Sequence, residues 1–178
     1  MREVKVIQTN TIHQAAYVVD DLDAAIDRWM RVANIGPFYV MRDCMPENVI
    51  YRGQPTEGFL VDIGFCQAGP VQVELIQPKM SGPNVYRDSV PPGSDGYHHT
   101  AYFTDDLDAE FARFAAMGVE VATQASFGAL RYAYFDTREL VGCMTEVLEH
   151  DAYLEGIFKT VADAALDWDG SDPVRSIG

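Results

Sequence analysis

The segment HQAAYVVDDLDA, starting at His13, returns without gaps as HHTAYFTDDLDA, starting at His98, an offset of 85 residues. The copies share the leading His, an Ala-Tyr pair and the whole DDLDA block. A period this long, present twice, is no solenoid and describes two similar modules in one chain. Each module must then supply the same elements in the same order.

Each copy opens as a strand, Thr11–Val19 and Tyr97–Thr104, rich in Tyr, Val, Phe and Thr. Asp20 or Asp105 is then placed to cap a helix. The first helix puts Leu22, Ile26, Trp29 and Ala33 at helical spacing. The second puts Leu107, Phe111, Phe114 and Ala115 on one face and stops near Gly118. Three strands are expected after each helix: Phe38–Met41, Glu57–Cys66 and Val71–Ile76, then Val119–Thr123, Leu130–Phe135 and Cys143–Leu148. The expected fold is α+β, two tandem βαβββ modules with an added amphipathic helix over Ala152–Leu166. Module one covers about residues 11–80, and the Gly/Pro-rich SGPNVYRDSVPPGSDG linker covers about 81–96. Module two covers about 97–150 and a helical tail 151–178, all in one domain of residues 1–178.

Composition narrows the function. The net charge of −14 lacks the basic footprint that nucleic acid requires. No apolar run approaches the length of a membrane span, and MREVKVIQTN shows no signal-peptide core. Cys44, Cys66 and Cys143 are odd in number and unpaired by motif, which fits a reducing cytoplasm and no cysteine metal site.

Two carboxylates stand out. VQVELIQP carries Glu74, and MTEVLEH carries Glu146, each inside an otherwise apolar strand late in its module. Such a group is costly to bury unless paired or bound to a cation. On the opening strands, alternate residues face opposite ways. Either His13 with His98, or Gln14 with His99, therefore faces a shared cavity. Four ligands from two related modules would surround one divalent cation. Oxygen and nitrogen donors without thiolate suit zinc, nickel, cobalt, manganese or ferrous iron.

Taken in order, the strand leading to a D-L pair and helix, the ELIQP strand end, GYHHTAYFTDDLDA and the closing TEVLE resemble the vicinal-oxygen-chelate superfamily, from about Thr11 to His150. The resemblance implies a curved mixed sheet around a metal pocket. In that family the opening-strand ligand usually lies seven residues before the Asp of the D-L pair, which selects Gln14 and His99. Glu74 and Glu146 match the other two ligands. The set is similar to that of eukaryotic-type glyoxalase I. Methylmalonyl-CoA epimerase more often has His first, so His13 is the rival to Gln14, and a one-residue bulge would bring it inward. The pieces IGPF, YRG, RYAYFDT and WDGSDP look like a bacterial subfamily near the epimerase.

The resemblance also implies chemistry. Glu146 would serve as ligand and base, with Glu74 its partner on the opposite face, in an isomerase, epimerase or lyase that works through a metal-stabilised enolate of a small carbonyl or acyl-thioester substrate. A homodimer is implied as well. The chain departs from the family in two ways: neither Glu47 nor Glu57 aligns with the epimerase's loop acid, and the glutathione-binding basic residues of glyoxalase I are not identifiable. Tyr51, Arg52, Tyr132 and Tyr134 are the pocket candidates instead. An extradiol-type dioxygenase and a metal-free, ligand-sequestering resistance-type protein are the competing readings.

Overall fold

The computed structural model describes residues 10–177. The N-terminal stretch read for a secretion signal lies, but for Asn10, outside them. In chain order the first half holds β1 (Gln14–Val18), α1 (Leu22–Ala33), β2 (Phe38–Cys44), β3 (Glu47–Tyr51), β4 (Gln54–Pro55), β5 (Val61–Ala68) and β6 (Val71–Pro78). A 3-10 turn at Val85–Asp88 follows. The second half holds β7 (Gly96–Thr104), α2 (Leu107–Ala116), β8 (Val121–Phe127), β9 (Leu130–Phe135), α3 (Arg138–Val141) and β10 (Met144–Glu149). The chain ends with α4 (Ala152–Ala165) and β11 (Val174–Ser176).

One mixed sheet runs β11-β2-β5-β6-β1-β7-β10-β9-β8-β3-β4. Its centre is the antiparallel pair β1–β7. On either side the opening strand runs parallel to the last strand of its own half. The registers match across the repeat: Ala16 pairs with Glu74 and Ala101 with Glu146, and the two alanines are 85 residues apart, 101 minus 16. The expected duplicated βαβββ α+β fold with a C-terminal helix is therefore the observed one.

Helices α1 and α2 lie on one face. Leu22, Ala25 and Ile26 of α1 pack on Phe38, Val40, Cys66, Val73 and Leu75. Leu107 and Phe114 of α2 pack on Tyr102, Ala133, Phe135 and Val147. Ala33 and Ala115, expected on those faces, are exposed at the helix ends. The other face carries the largest core cluster, which joins both halves through Ala16, Val18, Ala101, Met144 and Leu148.

Three local expectations are corrected. The caps are Asp21 and Asp106, one residue later than Asp20 and Asp105. Their side chains accept from Ala24 N and Ala109 N, each at 2.9 Å, the third helical position that an N-cap reaches. Asp20 instead accepts from Gly93 N at 2.9 Å. Second, β3 was unforeseen. It leaves its own half and pairs with β8 of the other. Third, the 81–96 segment is more than a spacer, since Asn84 caps its 3-10 turn and Val85 and Tyr86 are buried. Among the described residues no helix is long and apolar enough to cross a membrane.

The tail after α4 is pinned by Trp168. A Cβ placed on Gly36 would lie 2.3 Å from the Trp168 ring, so only glycine permits this stacking. Gly36→Ala is expected to destabilise by about 1–3 kcal/mol, as overpacking does, and to undock the tail. Urea denaturation and tryptophan fluorescence check this; an unchanged midpoint with unchanged emission refutes it.

Candidate metal centre

Glu74 and Glu146 sit opposite the small residues Ala16 and Ala101 on the strands beside them, which leaves room above the centre of the sheet. His99 comes from β7 between them. Its Nε2 lies 3.1 Å from Glu146 Oε2 and 3.4 Å from Glu74 Oε2. The three ligand atoms all lie within 4.8 Å of one another. All three residues are buried, His99 completely.

Neither His99 contact has the directionality of a hydrogen bond, and Glu74 Oε2 and His99 Nε2 are left without partners. The buried Gln14 Oε1 has none either. Gln14 lines the same cavity as Glu74 and Glu146. Its amide nitrogen donates to Gln72 Oε1 at 2.7 Å, because Gln14 and Gln72 are register partners on parallel strands. That bond leaves the Gln14 carbonyl oxygen free. Buried polar atoms without partners are rare in folded proteins. Three such atoms, with a second carboxylate beside them, fit a divalent cation with mixed N/O ligation.

The electrostatics agree. Burial opposes charge on His99, but the Glu146 and Glu74 carboxylates outweigh it and raise its pKa to about 9. Burial raises the Glu74 carboxyl above its ordinary range. A proton on His99 thus holds the place that a cation between the carboxylates would take.

Of the rival register, His13 stacks on Phe103 with ring centroids 4.4 Å apart and sits beside Phe158, and its buried Nε2 also has no hydrogen-bond partner. His98, by contrast, is buried beside His99. Gln14–Ala16 pair with Ala101–His99, but Tyr17 pairs with Tyr97, so His98 is the extra residue of a β-bulge. The expectation that His98 and His99 face opposite ways fails for that reason. Burial, reinforced by the charge on His99, lowers the His98 pKa to about 3, so it is neutral.

Tyr132 and Tyr134 line the cavity, as does Tyr86. Burial holds all three phenols well above their usual range, so they are hydrogen-bond donors at neutral pH. Sequence reasoning missed Tyr86, which lies in the Gly/Pro-rich segment without strand or helix periodicity. It missed Gln72 too, although Gln72 shares a strand face with Glu74 two residues on, and that alternation was a usable signal. Leu154 and Phe158 of α4 roof the cavity, whose volume is about 70 Å³.

Tyr51 and Arg52 do not line it. The Tyr51 hydroxyl donates to Asp88 at 2.6 Å. Arg52 donates to Asp88 and Asp136, both at 2.6 Å, and to Glu120 at 3.3 Å. These bonds tie the β3 hairpin and the 3-10 turn to the second half, and they consume the guanidinium that the pocket would have needed.

A model of the glyoxalase/bleomycin resistance protein/dioxygenase superfamily matches residues 13–135, well over half of the chain. The chain belongs to that superfamily. No curated protein matches the sequence. Solved structures share the superfamily fold. A hypothetical protein from Bacillus halodurans is 16% identical at TM-score 0.56, with 81% of this chain and 96% of that one covered. Methylmalonyl-CoA epimerase from Mycobacterium tuberculosis is 18% identical at TM-score 0.54, with 85% and 97% covered. A Streptomyces coelicolor methylmalonyl-CoA epimerase variant in complex with 2-nitronate-propionyl-CoA is 20% identical at TM-score 0.53, with 82% and 100% covered.

Two outcomes are expected. Below pH 9 a cation must displace the His99 proton. Binding should then release about one proton, and apparent affinity should rise about tenfold per pH unit between roughly pH 7 and 9. Titration calorimetry in buffers of different ionisation enthalpy measures the release; none at pH 7.5 contradicts the assignment. Arg52→Met should cost about 1–3 kcal/mol through the lost charged hydrogen bonds and leave metal affinity unchanged. A weakened metal site in that variant would return Arg52 to the pocket.

Proposed function

We propose that this superfamily member is a metal-dependent isomerase or epimerase, or a lyase, that acts through an enolate of a small carbonyl or acyl-thioester substrate. The observation that supports this reading best is the convergence of Glu74, His99 and Glu146, split between the two halves, with Gln14 aimed at the same cavity. Gln14, Glu74, His99 and Glu146 would hold one divalent cation: zinc, nickel, cobalt, manganese or iron. When bound, it would supply Lewis acidity for a substrate carbonyl oxygen.

The remaining work falls to the chain. One carboxylate, Glu146 in this reading, accepts the proton from the carbon next to the carbonyl, and the electron pair moves to oxygen as the enolate forms. In an epimerase, Glu74, from the other half, returns a proton to the opposite face of that carbon. In an isomerase one carboxylate carries the proton to the neighbouring carbon. Tyr86, Tyr132 and Tyr134 donate hydrogen bonds toward substrate oxygen. The apolar roof of Leu154 and Phe158 excludes water that would exchange the proton or quench the enolate.

A donor set of one imidazole and two carboxylates differs from the two-His, one-carboxylate arrangement of non-haem iron oxygenases, which weighs against the dioxygenase reading. The ligand-type residues kept in both halves weigh against a metal-free sequestering protein. We further propose a homodimer on the strength of the family resemblance, and a cytoplasmic location on that of the three unpaired cysteines.

The test compares two variants across a panel of acyl-CoA thioesters and ketones, with solvent-deuterium exchange and metal content as readouts. Glu146→Gln should keep much of its metal, since an amide oxygen still coordinates, and lose about 10²–10⁴ in exchange rate. His99→Ala should lose metal and exchange together. If Glu146→Gln binds metal and exchanges at the wild-type rate, Glu146 is not the base.

A further inference from the structure

The bulge in β7 brings His98 against its neighbour rather than behind the sheet. His98 Nδ1 lies 2.9 Å from His99 Nδ1, and His98 Nε2 lies 3.0 Å from the carbonyl oxygen of Val85 in the 3-10 turn. The His98 ring is caged by Tyr86 and Tyr134, with centroids at 5.3 Å and 5.6 Å. It has no exposed surface.

These distances fix the protons. A carbonyl only accepts, so His98 Nε2 carries a hydrogen and donates it to Val85. A neutral imidazole then has a bare Nδ1. That atom accepts, so His99 Nδ1 carries the hydrogen between the two rings. The nitrogen of His99 left to offer a lone pair is Nε2, the atom facing Glu74 and Glu146. The opposite arrangement would set a bare His98 Nε2 against the Val85 carbonyl oxygen, two acceptors 3.0 Å apart without a hydrogen between them in a dry interior, at a cost of about 1–3 kcal/mol for each group left unpaired.

We propose that His98 is a positioning residue that fixes the tautomer and aim of His99, so that His99 binds the cation through Nε2, anchored by the Val85 carbonyl of the inter-module segment. This inference rests on the metal-centre reading above but not on the reaction. It also gives the 81–96 segment a part in the site, because Val85 comes from the turn that carries Tyr86.

The test uses the full chain and zinc. In the wild-type zinc protein, long-range proton–nitrogen correlation spectra should show His98 with hydrogen on Nε2 only. His99 should show hydrogen on Nδ1 and metal on Nε2. His98→Phe keeps a flat ring in the cage and removes both nitrogens. Its zinc affinity should fall about 10–100-fold, the usual cost of losing the group that orients a ligating histidine. His98→Asn keeps an acceptor near the Nδ1 position and should recover most of that loss. A bare Nε2 on His98, zinc on His99 Nδ1, or a His98→Phe variant that binds zinc like the wild type would each overturn the proposal. The wild-type spectra decide the matter even if the Phe variant does not fold. If the wild type binds none of zinc, nickel, cobalt, manganese and ferrous iron, the metal-centre reading itself fails, a result distinct from tight wild-type binding with indifferent His98 variants.

Discussion

Two buried carboxylates share one imidazole at the seam between the halves, and the rest of the site is arranged around the charge they create. Burying a carboxylate without a partner is costly, and two near each other cost more. His99 offsets that by holding a proton up to about pH 9. A divalent cation would do so more completely, since it satisfies the unpartnered oxygens as well. The alanines opposite the glutamates, the amide of Gln72 behind Gln14 and the ring of His98 behind His99 all orient groups toward this one place.

The duplication explains why such a place exists. Matching parallel registers put Glu74 and Glu146 at equivalent positions, and the antiparallel β1–β7 pair sets Gln14 opposite Ala101 and His99 opposite Ala16 at the seam. The symmetry is broken in a specific way. His13 is the repeat counterpart of His98, yet it stacks on Phe103 while His98 turns inward at the bulge. One half thus offers a neutral amide backed by another amide. The other supplies an imidazole backed by a second imidazole.

The fold was legible because the repeat and the strand and helix periods agree at each level. Glu74 and Glu146 were legible as anomalies, charged residues in apolar strands. What escaped depended on non-local geometry. A β-bulge adds one residue to a ladder and leaves no mark in a single strand's alternation, so the His98–His99 side-by-side arrangement could not be read from sequence. Whether β3 pairs within its half or crosses to β8 depends on the partner edge, not on ENVIY itself. Arg52 looked like a pocket cation because its acidic partners Asp88, Glu120 and Asp136 are distant in sequence. Tyr86 was hidden in a segment whose glycines and prolines signal turns and say nothing about what a turn covers.

The helix α4 lies outside the stretch matched to the superfamily, yet it lines the cavity that holds Glu74 and Glu146. Leu154 and Phe158 line the cavity on the α4 side, while Phe65 and Leu148 line it from the sheet. A dry roof strengthens each electrostatic interaction beneath it, because the effective dielectric falls as water leaves. It also makes a buried carboxylate a stronger base, as the upward shift of Glu74 illustrates. On the proposed reading the same apolar enclosure would serve two ends: it would tighten the hold of four polar side chains on a cation, and it would ready a carboxylate to take a proton from carbon. The ligand set alone would meet neither end, and that reading therefore counts the C-terminal helix as part of the site.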